Sequence, residues 1–230
     1  MTGETYSRVI LCGMARPVDA LDNLDWLGHA GFRIKTSAGW FYIDPYRAPE
    51  GPPAAAILVT HDHFDHFSRD DVLKVAGEGA VFVGPATVTE HLRGNTQTML
   101  PGDTLDVGSV EVLAVAAYNT NKLDSEGRPF HSRDAGWVGY VIRDAGRRIY
   151  HSGDTDVIPE MDEAAGVDVA LLPVSGTYVM TSSEAAEAAR RIDPGVAVPM
   201  HWGTVIGERA DAEAFVQAAP VEARILEAVG

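Results

Sequence analysis

A single cysteine, Cys12, among 230 residues rules out an intrachain disulfide, and a chain so built suits a reducing compartment. Positive charge is scarce as well: 18 Lys and Arg stand against 33 Asp and Glu, for a formal net charge of −15. A global field that would gather nucleic acid or an anionic membrane surface is therefore missing. Long apolar runs are absent too. Val9-Ile10-Leu11-Cys12 falls far short of the ~20 residues a membrane helix needs, and Glu4 stands where a signal peptide carries positive charge. We expect a cytoplasmic protein with no nucleic-acid partner and no stable membrane insertion; a homo-oligomer stays open. No fixed-period repeat, low-complexity tract or linker breaks the chain, so one domain over residues 1–230 is expected, with residues 1–22 as an N-terminal extension or edge element.

What is present is a strongly patterned α/β chain. Alternation with period two in Asn23-Leu24-Asp25-Trp26-Leu27 and Phe32-Arg33-Ile34-Lys35, then Trp40-Phe41-Tyr42-Ile43, predicts a β-meander. Ala54 to Val59 reads as a buried strand, Ser68 as the N-cap of a helix to about Val75, and Val81-Phe82-Val83 as a further strand. Pro85 and Gly94 bracket another helix. Hairpins are expected about Gly108-Ser109 and Asp144-Ala145-Gly146, separated by a polar loop from Asn119 to Arg133, long enough to suspect function. The last third alternates: strand Val169 to Leu172, capping box Thr181-Ser182-Ser183-Glu184 with its helix to Ile192, strand Val196 to Met200, and helix Asp211 to Ala218. Together these imply an αββα sandwich of two mixed β-sheets flanked by helices.

The stretch that organises the chain is Thr60-His61-Asp62-His63-Phe64-Asp65-His66, directly after the buried strand. Residues two apart on a strand share a face, so His61 and His63 can aim at one point, and the turning chain brings Asp65 and His66 back to it. Imidazole and carboxylate are the donors expected of zinc or a similar divalent ion. Other polar groups stand in the same context, just beyond apolar strands: His151 and Asp154 after Arg147 to Tyr150, and His201 after Val196 to Met200. His131 lies in the long loop. A metal pair needs about seven protein ligands and a shared water. His61, His63, Asp65, His66, His131, Asp154 and His201 make up such a set.

Thr-His-Asp-His-Phe-Asp-His, followed by Ser-Gly-Asp-Thr and Pro-Met-His-Trp in that order, resembles the metallo-β-lactamase fold superfamily of metal-dependent hydrolases. Trp26 to Phe32, Ile43-Asp44-Pro45 and Leu171 to Tyr178 are similar to the branch that holds L-ascorbate-6-phosphate lactonase and the N-acyl-phosphatidylethanolamine phospholipase D enzymes. The resemblance implies that His61, His63 and a third histidine hold one metal, and that Asp65, His66 and His201 hold the other, with Asp154 bridging. His131 is preferred as the third histidine over His151, which its strand should point away from Asp154. Zinc is expected first and manganese second; His63 stands where flavo-diiron relatives carry a glutamate suited to iron.

Such a pair of ions would supply hydroxide at neutral pH and polarise the scissile group. Asp65 is then expected to orient the nucleophile, and His29 or His151 to protonate a leaving group, or, for His29, to orient a ligand. The substrate implied is a small or lipid-like molecule with an ester-type bond, a phosphodiester or a lactone. A thioester hydrolase of the glyoxalase II type is the nearest rival, and a non-hydrolytic metal-binding or redox protein the alternative of another class. Lys122, Arg128 and Arg133 could clamp an anionic head, and Tyr178 and Trp202 could shape the pocket wall.

Overall fold

The computed structural model describes residues 20–229; the expectations for Cys12 and for most of residues 1–22 lie outside them. Six strands make one sheet in sequence order: β1 (Leu24–Gly28), β2 (Gly31–Thr36), β3 (Gly39–Ile43), β4 (Ala54–Leu58), β5 (Ala76–Gly84) and β6 (Thr96–Thr98). Its first three strands run antiparallel and the rest parallel. The second sheet holds β7 (Thr104–Val107), β8 (Val110–Ala116), β9 (Val138–Asp144), β10 (Arg147–His151), β11 (Val169–Pro173) and β12 (Val196–Met200), also in order. Here β7 to β10 are antiparallel and β10 to β12 parallel.

The two sheets face each other across the larger core, in which Phe32, Phe41 and Leu58 meet Val112, Tyr140 and Leu171. A second core covers the outer face of the first sheet, where Ile57, Val59 and Tyr42 pack on Val72 and Val75 of α1 (Arg69–Val75) and near Val88 of α2 (Ala86–Thr89). Helices α3 (Ser182–Ile192) and α4 (Arg209–Ala218) cover the second sheet at β11 and β12. The result is the αββα sandwich. Alternating residues of β4 belong to different cores, Ile57 to one and Ala56 and Leu58 to the other. Each of the larger two, when fully buried, contributes ~1.5–3 kcal/mol, so this strand is fixed from both faces where it delivers the histidine loop.

Local chemistry accounts for most boundaries. Ser68 Oγ accepts the Asp71 N–H at 3.3 Å and starts α1; Thr181 and Glu184 form the reciprocal capping box of α3. Three departures from the sequence reading have physical causes. The helix after Pro85 stops at Thr89, because Thr87, Val88 and Thr89 are β-branched and poor at propagating a helix. The strand expected at Val81 begins already at Ala76, directly after α1. The polar loop is not featureless: Leu123 bridges Pro129, and Arg133–Ala135 forms a turn of 3₁₀-helix capped by Ser132.

Candidate metal centre

The C-terminal ends of β4, β8, β10 and β12 open at one edge of the sandwich, and the site is built from the segments that leave them. The sheets are tied there by the Tyr140 hydroxyl, which donates to Val59 O at 2.8 Å, and by Val138 N–H, which donates to Thr60 O at 3.2 Å. Strand ends must turn sharply to present side chains, and the backbone shows it. His29, Asp44 and His201 have φ of 51°, 44° and 60°, a region sparsely used by residues other than glycine. Gly153 (φ +63°) makes the turn before Asp154, and a Cβ there would meet Val138 O at 2.8 Å.

The structure brings the seven candidate ligands together. Around Asp154, His201 Nε2 lies 3.1 Å and His131 Nε2 3.2 Å from Oδ2, His66 Nε2 3.3 Å from Oδ1, and His61 Nε2 3.9 Å from Oδ2. Asp65 Oδ2 is 3.9 Å from His201 Nε2. Ligand atoms of His61, His63 and His131 lie within 4.8 Å of one another, as do those of His29, Asp65, His66 and His201, and those of His61, His66 and Asp154. His61, His66, His131, Asp154 and His201 are buried. Yet Nε2 of each of these histidines, and Oδ1 of Asp154, has no hydrogen-bond partner among the described residues. Buried polar atoms without partners cost free energy. Four imidazole nitrogens and a carboxylate oxygen without hydrogen-bond partners around one point fit a divalent cation, and a nitrogen-and-oxygen donor set suits zinc, manganese or iron.

The opposite nitrogens are all engaged, which fixes the rings. His66 Nδ1–H donates to Asp44 Oδ2 at 2.7 Å. Thr60 donates its hydroxyl proton to the same oxygen at 2.6 Å, so it accepts from His61 Nδ1–H at 3.0 Å. His131 Nδ1–H donates to Asn119 Oδ1 at 2.9 Å, and His201 Nδ1 pairs with Ser175 Oγ at 3.0 Å. With Nδ1 protonated, Nε2 is left as the free donor; partners of this kind raise ligand basicity and hold orientation. Asp44, Thr60, Asn119 and Ser175 are residues the sequence reading did not assign. Thr60, Asp44 and Ser175 lie inside the motifs that carried the resemblance, without a role of their own there, and Asn119 had only its position just after a strand end.

Charge at the site is uneven. Burial opposes a proton on His66, but Asp154 and Asp44 on either side outweigh it and hold its pKa well above the usual range. Burial likewise opposes the Asp154 carboxylate, yet His201, His66 and His131 hold it well below the ordinary value. His61 is pushed well down, by burial first and by the neighbouring His66 second. Burial lowers His29 to about 4 against the pull of Asp65, while the hydrogen bond from His29 overcomes burial and brings Asp65 to about 2. At neutral pH the His29–Asp65 contact of 3.0 Å is thus an N–H donated to a carboxylate.

Four expectations need correction. His151 is fully buried with both ring nitrogens used inside the fold: Nε2–H donates to Ala30 O at 2.8 Å and Nδ1 accepts Gly153 N–H at 3.1 Å. It has no nitrogen left for a ligand or a substrate. Trp202 lies in the core, 4.6 Å from Trp26, with its Nε1–H on Pro199 O. Lys122 is drawn inward to Asp156 and Glu184, at 3.4 and 2.7 Å. Arg133 pairs with Glu160 at 2.7 Å above the Tyr118 ring, and Arg128 pairs with Asp124 and Glu126. The cations of the long loop serve its own folding and do not form a clamp.

Above the donors opens a cavity of about 350 Å³. Its floor is His63, Asp65, His131, Asp154 and His201. Its walls are Phe64, Phe130, Tyr178, Val205 and Ile206, and no lysine or arginine of the described residues lines it. Of the aromatic residues expected there, Tyr178 alone reaches it.

A two-sheet sandwich with this donor cluster at one edge defines the metallo-β-lactamase superfamily, and a family model described as a Beta-lactamase superfamily domain matches residues 23–201. Within it the chain belongs to the UPF0173 family of metal-dependent hydrolases. It is 32% identical over 207 residues to the UPF0173 metal-dependent hydrolase of Methanopyrus kandleri, covering 84% of this chain and 89% of that one. It is 35% identical over 201 residues to the family member from Rubrobacter xylanophilus, covering 79% and 81%. In three dimensions it superposes on a metallo hydrolase, Igni18, from Ignicoccus hospitalis with a TM-score of 0.70 at 23% identity, over 89% of this chain and 94% of that one. No helix of the described residues is long and apolar enough to cross a membrane.

Proposed function

We propose that the protein hydrolyses an ester-type bond in a small or lipid-like substrate, using a pair of divalent ions, zinc or manganese. His61, His63 and His131 would hold one ion, Asp65, His66 and His201 the other, and Asp154 would stand between them. The observation that carries this reading is the set of unpartnered buried donors converging beneath an open cavity. When bound, the metals supply Lewis acidity and lower the pKa of water so that it can attack at neutral pH. One C–O bond of the ester breaks; water provides the hydroxyl of the acid and the proton of the alcohol.

The chain's own residues prepare that attack. Asp65 lines the cavity, and its carboxylate is held by the N–H of His29. This leaves it ionised and oriented toward the attacking water. His29 acts through Asp65 and positions it; buried, with its Nε2–H given to that carboxylate, it is not the leaving-group acid. No side chain here is set up as a nucleophile, since the Ser152 hydroxyl is buried and donates to Gly153 O. No lysine or arginine of the described residues lines the cavity wall, so any charge partner for a substrate would be the metals themselves.

The test is metal analysis of protein purified without added metal, followed by turnover of lactones, carboxylic esters, phosphodiesters and thioesters by wild type, Asp65→Ala and His201→Ala. About two equivalents of zinc or manganese, with lactone or ester turnover lost to a chelator and in both variants, is the expected result. Iron without turnover, or equal rates in all three proteins, would overturn the reading.

A further inference from the structure

Six large hydrophobic side chains are exposed among the described residues, and three of them, Phe64, Tyr178 and Val205, stand at the mouth of the metal cavity. They are 66%, 40% and 40% exposed and come from separate segments, after β4, β11 and β12. Scattered apolar residues on a surface need no explanation, whereas a contiguous set around one opening marks a recognition site. The set is also built. Phe130 packs edge-on against Tyr178 with ring centroids 4.8 Å apart, and Tyr46 supports Phe64 in the same way at 6.1 Å. Phe64 lies between the candidate ligands His63 and Asp65, so its backbone is fixed by the site itself.

The wall is apolar, and with the metals of the hydrolase reading in place charge at this site would come from the ions in the floor. The floor carries Asp65 and Asp154, the nearby cations Lys122 and Arg133 are paired with Glu184 and Glu160, and the chain bears a net charge of −15. An anionic head would meet no cation of the described residues in the wall. A volume of about 350 Å³ is at the lower end of the ~300–1,000 Å³ common for ligand pockets, enough for one short hydrocarbon chain and not for a two-chain lipid.

We propose that Phe64, Tyr178 and Val205 form a binding site for a single alkyl or acyl chain, so that the substrate is an ester or lactone carrying one short chain. This rests on the hydrolase reading above for the reaction, and on the rim alone for the chain. These residues determine specificity; they take no part in bond cleavage.

The experiment is a homologous series of γ-lactones and p-nitrophenyl esters, tested on metal-loaded wild type, Phe64→Ser and Val205→Ser, together with calorimetric binding of straight-chain methyl ketones to the metal-free proteins. Both substitutions are at exposed positions, and circular dichroism checks the fold. In wild type, kcat/KM is expected to rise about fourfold per added methylene until the cavity is filled, and ketone affinity to rise in parallel. Each variant is expected to lower the long-to-short ratio at least about fivefold. Turnover that is flat with chain length, or a ratio unchanged in the variants, overturns the inference and leaves the hydrolase reading in place. Absence of turnover at every length defeats the hydrolase reading instead. Ketone binding then decides: length-dependent affinity lost in the variants upholds the chain site, and flat affinity ends it.

Discussion

Asn119 holds His131 with one atom. Its Oδ1 accepts both the backbone N–H of His131, at 2.8 Å, and the ring Nδ1–H, at 2.9 Å. Its amide NH₂ donates in turn to Tyr178 O at 3.0 Å and toward Asp156 Oδ1 at 3.4 Å. Asp156 is itself buried and accepts Thr120 N–H and Asn121 N–H at 2.6 and 2.9 Å. The loop between β8 and β9 thus delivers a histidine in a defined tautomer because a buried carboxylate clasps its first residues. Removing an outer partner of a metal-ligating histidine costs roughly 10–100-fold in metal affinity. Asn119→Ala is expected to weaken one metal equivalent by about that factor and spare the other, as read by competition with a chromogenic chelator. Equal affinity in both proteins would show that Asn119 plays no part in holding the metal.

The metal-free protein should lose stability on acidification between pH 6.5 and about 4. His29 is lowered to about 4 and His61 and His151 are lowered as well, burial being the first cause in each. These groups accept protons near pH 6.5 when unfolded and resist them when folded, so protons favour the unfolded chain across that window. His66 has the opposite sign: its raised pKa contributes stability that is complete below pH 6.5 and lost as the pH climbs through the folded value. It therefore cannot offset the loss below pH 6.5. Midpoints of urea unfolding in chelator, taken in half-unit steps, should fall steadily from pH 6.5 to 4.5. A flat or rising series contradicts the buried neutral state of these rings.

Much of this architecture was legible because the chain declares it locally. His61, His63, Asp65 and His66 sit in one loop after an apolar strand, and period-two alternation marked most of the strands. What could not be read were the pairings made across the sheets. Asp44 follows β3 and looks like any carboxylate beyond a strand until the fold sets it against Thr60 and His66. The strand before His151 already argued for His131 as the third histidine; what could not be read was that the register of β10 with β9 and β11 turns His151 toward Ala30 O and engages both of its nitrogens. Lys122 and Arg133 read as a clamp because their partners, Glu184 and Glu160, are distant in the chain. β6, a polar edge strand of Thr96–Thr98, carries no apolar signal.

Asp44 offers a sharper test of that cross-sheet logic. One buried carboxylate accepts Thr60 N–H at 2.8 Å, the Thr60 hydroxyl at 2.6 Å and His66 Nδ1–H at 2.7 Å. Asp44→Asn preserves size and tolerates the left-handed backbone, but places an NH₂ where at least one of these donors points. Hydrogen bonds to charged groups are worth about 1.5–3 kcal/mol each. A loss of ~2–4 kcal/mol in metal-free stability is therefore expected, with weaker metal binding through His66. Denaturant unfolding checks the first and chelator competition the second; a loss under about 0.5 kcal/mol would remove Asp44 from its central place.

His131 and His151 are both buried histidines near Asp154, and they should give opposite signatures. The Nε2 of His131 has no hydrogen-bond partner among the described residues and faces Asp154 at 3.2 Å, where an ion would engage it. His131→Ala should therefore remove about one metal equivalent while costing the metal-free fold its packing and the one ring hydrogen bond to Asn119, whose Oδ1 keeps the backbone N–H of residue 131. Both nitrogens of His151 are spent on backbone, Ala30 O and Gly153 N–H. His151→Leu strands a buried acceptor and a buried donor at ~1–3 kcal/mol each, yet touches no candidate ligand nitrogen. It should lower stability by roughly 2 kcal/mol or more and leave metal stoichiometry unchanged in the protein that still folds. Elemental analysis and urea unfolding on the two variants separate these outcomes. A lost metal equivalent in His151→Leu, with full occupancy in His131→Ala, would reverse the assignment of the third histidine.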